Sequence, residues 1–169
     1  LDDKNHILTG KAAVTYYNNS PDTLTFIWMH LYPNAYRNQD TYLAKELLNT
    51  GSTELYHAEK EDLGWIDSLD FSCNNQKTRW EYHPQYIDIC KVYLDKPLAP
   101  GENATISTPF CVKIPLLGIS RLGHYRQNYA ITQWFPKPAV YDKNGWHYMP
   151  YSDQGEFYSE FGKYNVYIT

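Results

Sequence analysis

The sequence lacks most of the signals by which enzymes and nucleic-acid-binding proteins are identified. It has no lysine or arginine run and its net charge is −4, which argues against a nucleic-acid partner. No apolar stretch approaches the roughly 18 residues that a membrane-spanning helix needs. Glycine-rich phosphate loops, nucleophile-elbow motifs and calcium-loop spacings are also missing. The residues therefore predict no catalytic group, no nucleic-acid partner and no membrane span.

Histidine and cysteine are present, but not in metal-binding patterns. None of the six histidines has a second histidine three or four positions later, so the helix-borne zinc motif is absent. Each histidine is expected to be hydrogen-bonded or exposed on a β surface. Cys73, Cys90 and Cys111 are far apart and lack CxxC spacing, so we expect small buried thiols. One disulfide plus one free thiol is the alternative, and no metal ligand is predicted.

What the chain has in quantity is β-forming and aromatic residues, including 17 tyrosines. Strand-like runs alternate with turn signals roughly every 8 to 15 residues, which is typical of antiparallel sheets. We predict an all-β fold, an antiparallel sandwich or saddle-shaped pair of sheets, forming one domain over residues 1–169. One short helix is predicted over residues 40–49, with Asn38 or Asp40 as its N-cap. Asn74-Asn75 and Asn144-Gly145 predict hairpin turns.

Three further segments carry local predictions. Residues 11–17 and 23–31 are expected to form a β-hairpin, and apolar residues on both faces of 24–31 predict a central strand. The polar span 54–64 is expected to be a loop. Apolar and polar residues alternate over 164–169, which predicts a half-buried strand.

The segment 129–138 is predicted to be a short strand that runs into a rigid loop. Pro136 and Pro138 fix their own φ and restrict the residues before them, so Gln133, Trp134 and Phe135 should be held in one arrangement. On residue type alone, Gln133 is either an amide that caps neighbouring backbone groups or one that contacts a ligand. The loop is typical of a surface that presents side chains to another molecule.

Several motifs resemble the N-terminal β domain of aminopeptidase-N-like zinc metallopeptidases, in a bacterial, Bacteroides-like branch. In order along essentially the whole chain, these motifs are Leu8-Thr9-Gly10, Tyr17-Asn18-Asn19-Ser20, His30-Leu31-Tyr32-Pro33-Asn34-Ala35-Tyr36, Pro100-Gly101-Glu102, Ile119-Ser120-Arg121, Thr132-Gln133-Trp134-Phe135-Pro136-Lys137-Pro138-Ala139-Val140-Tyr141-Asp142 and Gly155-Glu156-Phe157-Tyr158.

The resemblance implies a chain that is the non-catalytic front part of a longer peptidase. In the family, this domain packs on a following thermolysin-like domain that carries HExxH and the zinc ion, and neither HExxH nor the exopeptidase motif occurs here. The implied partners are that downstream domain and a peptide substrate. Zinc is expected there, and no cofactor in this chain. The chain begins Leu1-Asp2-Asp3, as expected of an excised domain, and the resemblance favours an exported, periplasmic or cell-surface location.

The resemblance also implies substrate-binding roles for Gln133, Trp134 and Phe135. Gln133 matches the glutamine that lines the first substrate side-chain pocket. Phe135 stands where aminopeptidases often place a Glu or Gln for the substrate amine, and a phenyl ring cannot accept that hydrogen bond. The alternative function is a stand-alone, aromatic-rich binding module for carbohydrate or peptide, using Trp134, Phe135, Trp146 and Tyr148.

Overall fold

The computed structural model describes residues 1–116 and 118–168, and most of its regular structure is β. The strands, in chain order, are β1 Ile7–Tyr17, β2 Leu24–His30, β3 Trp65–Asp67, β4 Ser72–Cys73, β5 Gln76–Lys77, β6 Trp80–Tyr82, β7 Ile89–Leu98, β8 Asn103–Lys113, β9 Gly123–Tyr125, β10 Asn128–Ala130, β11 Lys137–Pro138, β12 Val140–Asp142 and β13 Gly145–His147. The helices are a 3-10 turn, Tyr32–Tyr36, and two α-helices, α1 Tyr42–Asn49 and α2 Glu54–His57.

Two antiparallel sheets enclose the core. The first runs in the order β1-β8-β4-β5, with β3 also paired to β8, and the second runs β11-β2-β7-β6. Two-stranded ladders, β9 with β10 and β12 with β13, complete the described strands. The main hydrophobic cluster draws on both sheets, with Ile27, Met29 and Val92 from one and Ile106, Phe110 and Val112 from the other. The predicted all-β, sandwich-like fold is confirmed.

The expected hairpin between the first two long strands is wrong, because β1 pairs with β8 and β2 pairs with β7. The connection instead crosses from one sheet to the other. Asn18 organises this crossing through its buried amide, which donates to the carbonyl oxygens of Asp22 (2.7 Å) and Leu98 (2.9 Å). The central position expected of β2 is confirmed, since it lies between β11 and β7. Turn residues mark a change of direction but do not say which sheet the chain enters next.

The predicted helix lies where it was expected, but the structure has two α-helices rather than one. Helix α1 occupies the expected segment, but its N-cap is Thr41, whose Oγ1 accepts from the backbone N–H of Ala44 at 3.2 Å. The span expected to be a loop contains the single turn α2, which buries Leu55. Thr41 caps the helix because its hydroxyl faces the free backbone N–H groups of the first turn.

The strand predicted over 164–169 is also wrong for the part that the structure describes. Residues 164–168 form no strand, and Tyr167 and Ile168 are almost fully exposed. Thr169 lies outside the described residues. Alternation of apolar and polar residues produces a strand only where a sheet edge accepts it, and no described strand pairs with this segment.

The cysteines follow the simpler expectation. All three are free thiols, Cys73 and Cys90 are buried, and Cys111 is partly buried. Cys73 donates a hydrogen bond to the Asp95 carboxylate at 3.1 Å. Burial raises the pKa of each thiol, most strongly for Cys90. These residues therefore serve as small packing groups rather than as nucleophiles.

Candidate functional site

The loop between β10 and β11 contains Gln133 in an unusual backbone conformation. Its φ is +51°, in the left-handed region that a residue with a Cβ seldom adopts. Such a conformation costs of the order of 1–3 kcal/mol and persists only where the surrounding structure imposes it. Because position 133 is not a glycine, the sequence alone did not indicate a positive φ there. The loop is therefore held in shape by its neighbours.

Aromatic packing supplies that restraint. The ring of Trp134 lies edge-to-face on Phe110, with centroids 5.7 Å apart, and against Phe135 at 5.3 Å. Phe135 in turn meets Tyr164 at 6.2 Å. Both Trp134 and Phe135 are half-buried and rest against the main core. They anchor the loop, and only part of each ring remains available to a ligand.

The three residues predicted to bind substrate do lie together. They share the wall of an open recess of about 380 Å³, the Gln133 recess, which is lined by Ile131, Gln133, Trp134, Phe135, Lys137, Ser159, Tyr164 and Val166. Within residues 1–116 and 118–168, the Gln133 side chain makes no hydrogen bond. Among these described residues, the amide therefore does not cap nearby backbone groups, which was the alternative expectation. The amide can therefore donate to and accept from a molecule in the recess.

Lys137 is a site residue that the sequence did not single out. Its Nζ donates to Ser159 Oγ at 2.6 Å and lies 5.3 and 5.7 Å from the ring centroids of Tyr32 and Phe157. Burial lowers the pKa of this ammonium to about 8. No carboxylate lies within ion-pair distance of it in the described chain. The Pro-Lys-Pro sequence indicated that position 137 is held in a rigid segment, but its place opposite His30 follows only from the pairing of β11 with β2.

The aromatic residues of the alternative binding module are divided among different places. Trp146 packs against Tyr16, Phe26 and Tyr141, and Tyr148 stacks on Trp28 at 4.5 Å. Neither lines the Gln133 recess. Trp146 and Tyr148 pack against neighbours of their own, away from Trp134 and Phe135. The four aromatic residues therefore do not form one carbohydrate-binding face.

Among the residues described, no three His, Cys, Asp or Glu side chains are grouped so that they could hold a metal ion. No helix in the same residues is both long and apolar enough to cross a membrane.

No protein family, curated protein or solved structure matches the chain.

Proposed function

We propose that this chain is the non-catalytic N-terminal β domain of a zinc metallopeptidase of the aminopeptidase-N-like type. In this proposal a downstream thermolysin-like domain supplies the zinc and the catalytic groups. The chain contributes the Gln133 recess to the substrate cleft. The observation that carries the proposal is Gln133 itself: a strained loop residue with an unengaged amide at an open recess. Backbone strain held in place by surrounding structure is typical of functional sites.

The chemistry of the recess suits a peptide side chain. Ile131, Trp134 and Phe135 give it apolar walls, and the Gln133 amide is a group that can fix a peptide C=O or N–H. Phe135 offers no acceptor for a substrate ammonium. We therefore expect the parent enzyme to be less strict for a free amino terminus than a typical aminopeptidase.

The exposed C-terminal segment, residues 161–168, favours the presence of a neighbouring domain. Phe161, Tyr164, Val166, Tyr167 and Ile168 are all exposed, and Tyr164 and Val166 also line the Gln133 recess. Clustered exposed apolar side chains are typical of surfaces that another protein surface covers. A catalytic domain seated there would close the recess into a cleft.

The test is made in the full-length protein with two substitutions at one position. Gln133→Ala removes the amide, and Gln133→Gly removes the amide while relieving the left-handed backbone strain. We expect both variants to lose about ten- to a hundredfold in kcat/KM, equivalent to a hydrogen bond of about 1.5–3 kcal/mol, with zinc content unchanged. Because glycine adopts a positive φ without strain, Gln133→Gly should have a Tm no lower than the wild type, so destabilisation could not explain its loss of activity.

Gln127→Ala is the matched control, because Gln127 is an exposed amide outside the recess. It should leave kcat/KM unchanged. Wild-type activity in both Gln133 variants would refute the assignment of the recess to the substrate cleft. A full-length protein without peptidase activity would refute the proposed function as a whole.

A further inference from the structure

A second recess is lined in part by Tyr32 and Phe157, the two aromatic residues that the Lys137 ammonium also contacts. This His30 recess has a volume of about 260 Å³. His30 and Tyr32 are its buried floor, and Tyr42, Met149 and Tyr158 are exposed at its mouth. It is thus the size of a single ring-bearing group, smaller than a site for a drug-sized ligand.

His30 has an unmet hydrogen-bonding requirement. His30 is 2% exposed, and neither Nδ1 nor Nε2 has a hydrogen-bond partner within the described chain. In contrast, Nδ1 of His6 and Nδ1 of His124 have partners at 2.9 and 3.2 Å. His147, on the recess wall, has the Asp142 carboxylate at 2.8 Å, an ion-pair distance without hydrogen-bond direction. Buried polar atoms are nearly always satisfied, so His30 requires a partner.

The protonation state of His30 restricts that partner. Burial, assisted by the Lys137 charge, lowers the pKa of the imidazole to about 3. The ring is therefore neutral near pH 7, with one nitrogen as donor and the other as acceptor. A hydroxyl group can bond to either nitrogen, because it donates and accepts. A carboxylate could use only the N–H, and an ammonium only the bare nitrogen.

The walls restrict the rest of the ligand. Tyr32 stacks on His30 with ring centroids 4.5 Å apart, and Tyr86, Phe157 and Tyr158 also line the recess. A contact between two aromatic rings is more stabilising than the burial of the same apolar area alone. A planar aromatic ring fills such a space better than an aliphatic chain of the same size.

Net charge on the ligand is disfavoured in both directions. A cation at His30 would be repelled by the Lys137 ammonium, which does not line the recess but whose charge already acts on the imidazole from its position against the Tyr32 and Phe157 rings. An anion could accept only from the N–H of His30, and Glu156, a lining residue whose exposed carboxylate pairs with Arg121 at 3.7 Å, adds no positive charge to hold it. We therefore propose that the His30 recess binds an uncharged aromatic ring bearing a hydroxyl group, a phenol such as a tyrosine side chain, with the hydroxyl hydrogen-bonded to His30. This inference is independent of the proposed peptidase function.

The experiment uses the 169-residue chain with ¹⁵N-labelled histidine, titrated with p-cresol and with toluene and followed by NMR. The two probes have the same ring and methyl group and differ only in the hydroxyl. We expect p-cresol to bind roughly three- to tenfold more tightly, and to shift a ring nitrogen signal of His30 that toluene leaves in place. His30→Phe keeps a flat ring on Tyr32 and should abolish the preference. His57→Phe, the same change at an exposed histidine, should retain it.

Three results would overturn the proposal. They are equal affinity for the two probes, a His30 ring signal unchanged at saturating p-cresol, and tighter binding of benzylamine than of p-cresol. The ring signal is read in the wild-type chain, so the test stands even if His30→Phe does not fold. None of these results bears on Gln133, so failure here is distinguishable from failure of the peptidase assignment.

Discussion

Gly10→Ala is expected to destabilise the fold, although alanine is normally the better strand residue. Gly10 lies opposite Phe110 in the β1–β8 ladder, and the phenyl ring extends across it. A Cβ at position 10 would lie 2.5 Å from the tip of that ring. The ring cannot swing away freely, because Phe110 is 4% exposed and Trp134 packs against it at 5.7 Å.

Two terms of opposite sign set the size of the effect. Replacing glycine by alanine in a strand gains about 0.5–1 kcal/mol from reduced chain entropy. Displacing the buried Phe110 ring within its packed surroundings costs about 1–3 kcal/mol. We expect the clash to dominate, lowering the free energy of unfolding by about 1–2 kcal/mol. The measurement is urea denaturation followed by far-UV circular dichroism.

Phe110→Val supplies the control background, because valine suits a strand but does not reach across position 10. In that background Gly10→Ala should be neutral or stabilising by up to about 1 kcal/mol. The two effects would then couple by about 2 kcal/mol in a double-mutant cycle. An equal cost of Gly10→Ala in both backgrounds would refute the reasoning, because the ring could not then be its cause.

Two further predictions concern acid stability and domain assembly. His30 has a folded pKa of about 3, below its unfolded value of 6.5, so its stabilisation is complete above pH 6.5 and is lost as pH falls toward 3. Asp88 acts in the opposite sense: burial raises its pKa from 3.8 to about 6, so its stabilisation is present below pH 3.8 and is lost as pH rises through 6. Between pH 7 and 4.5 the wild-type chain should therefore lose more unfolding free energy than His30→Phe, by an amount of the order of 2–3 kcal/mol, and equal losses in denaturant titrations would contradict this. For assembly, adding the downstream catalytic domain in trans should raise the Tm of this chain, and Phe161→Ser should reduce the rise; an unchanged Tm at saturating domain concentration would count against the interface.

Local chemistry made part of the fold predictable. Asn74 and Asn75 both have positive φ between β4 and β5, and Gly145 has a φ of +95° between β12 and β13, as their turn motifs indicated. Helix α1 likewise followed from the spacing of its leucines. These features depend on interactions within a few residues, which a single sequence displays directly.

Pairing and burial were not predictable in the same way. β1 finds its partner in β8, far along the chain, and nothing in the turn after β1 encodes that choice. The closeness of Lys137 to His30 depends on the pairing of β11 with β2 and is equally invisible in the sequence. The hydrogen-bonding deficit of His30 appears only once its neighbours are known, because residue type alone favours a satisfied or exposed histidine.

The Gln133 loop shows how strain and packing depend on each other here. Gln133 can hold a left-handed conformation only if the residues after it cannot relax. Trp134 is fixed by Phe110, Phe110 lies across Gly10, and Pro136 removes backbone freedom immediately beyond the anchors. A methyl group at position 10 would therefore act on the loop through two rings, without touching the recess itself. The missing side chain of Gly10 is thus part of what holds the Gln133 loop in shape.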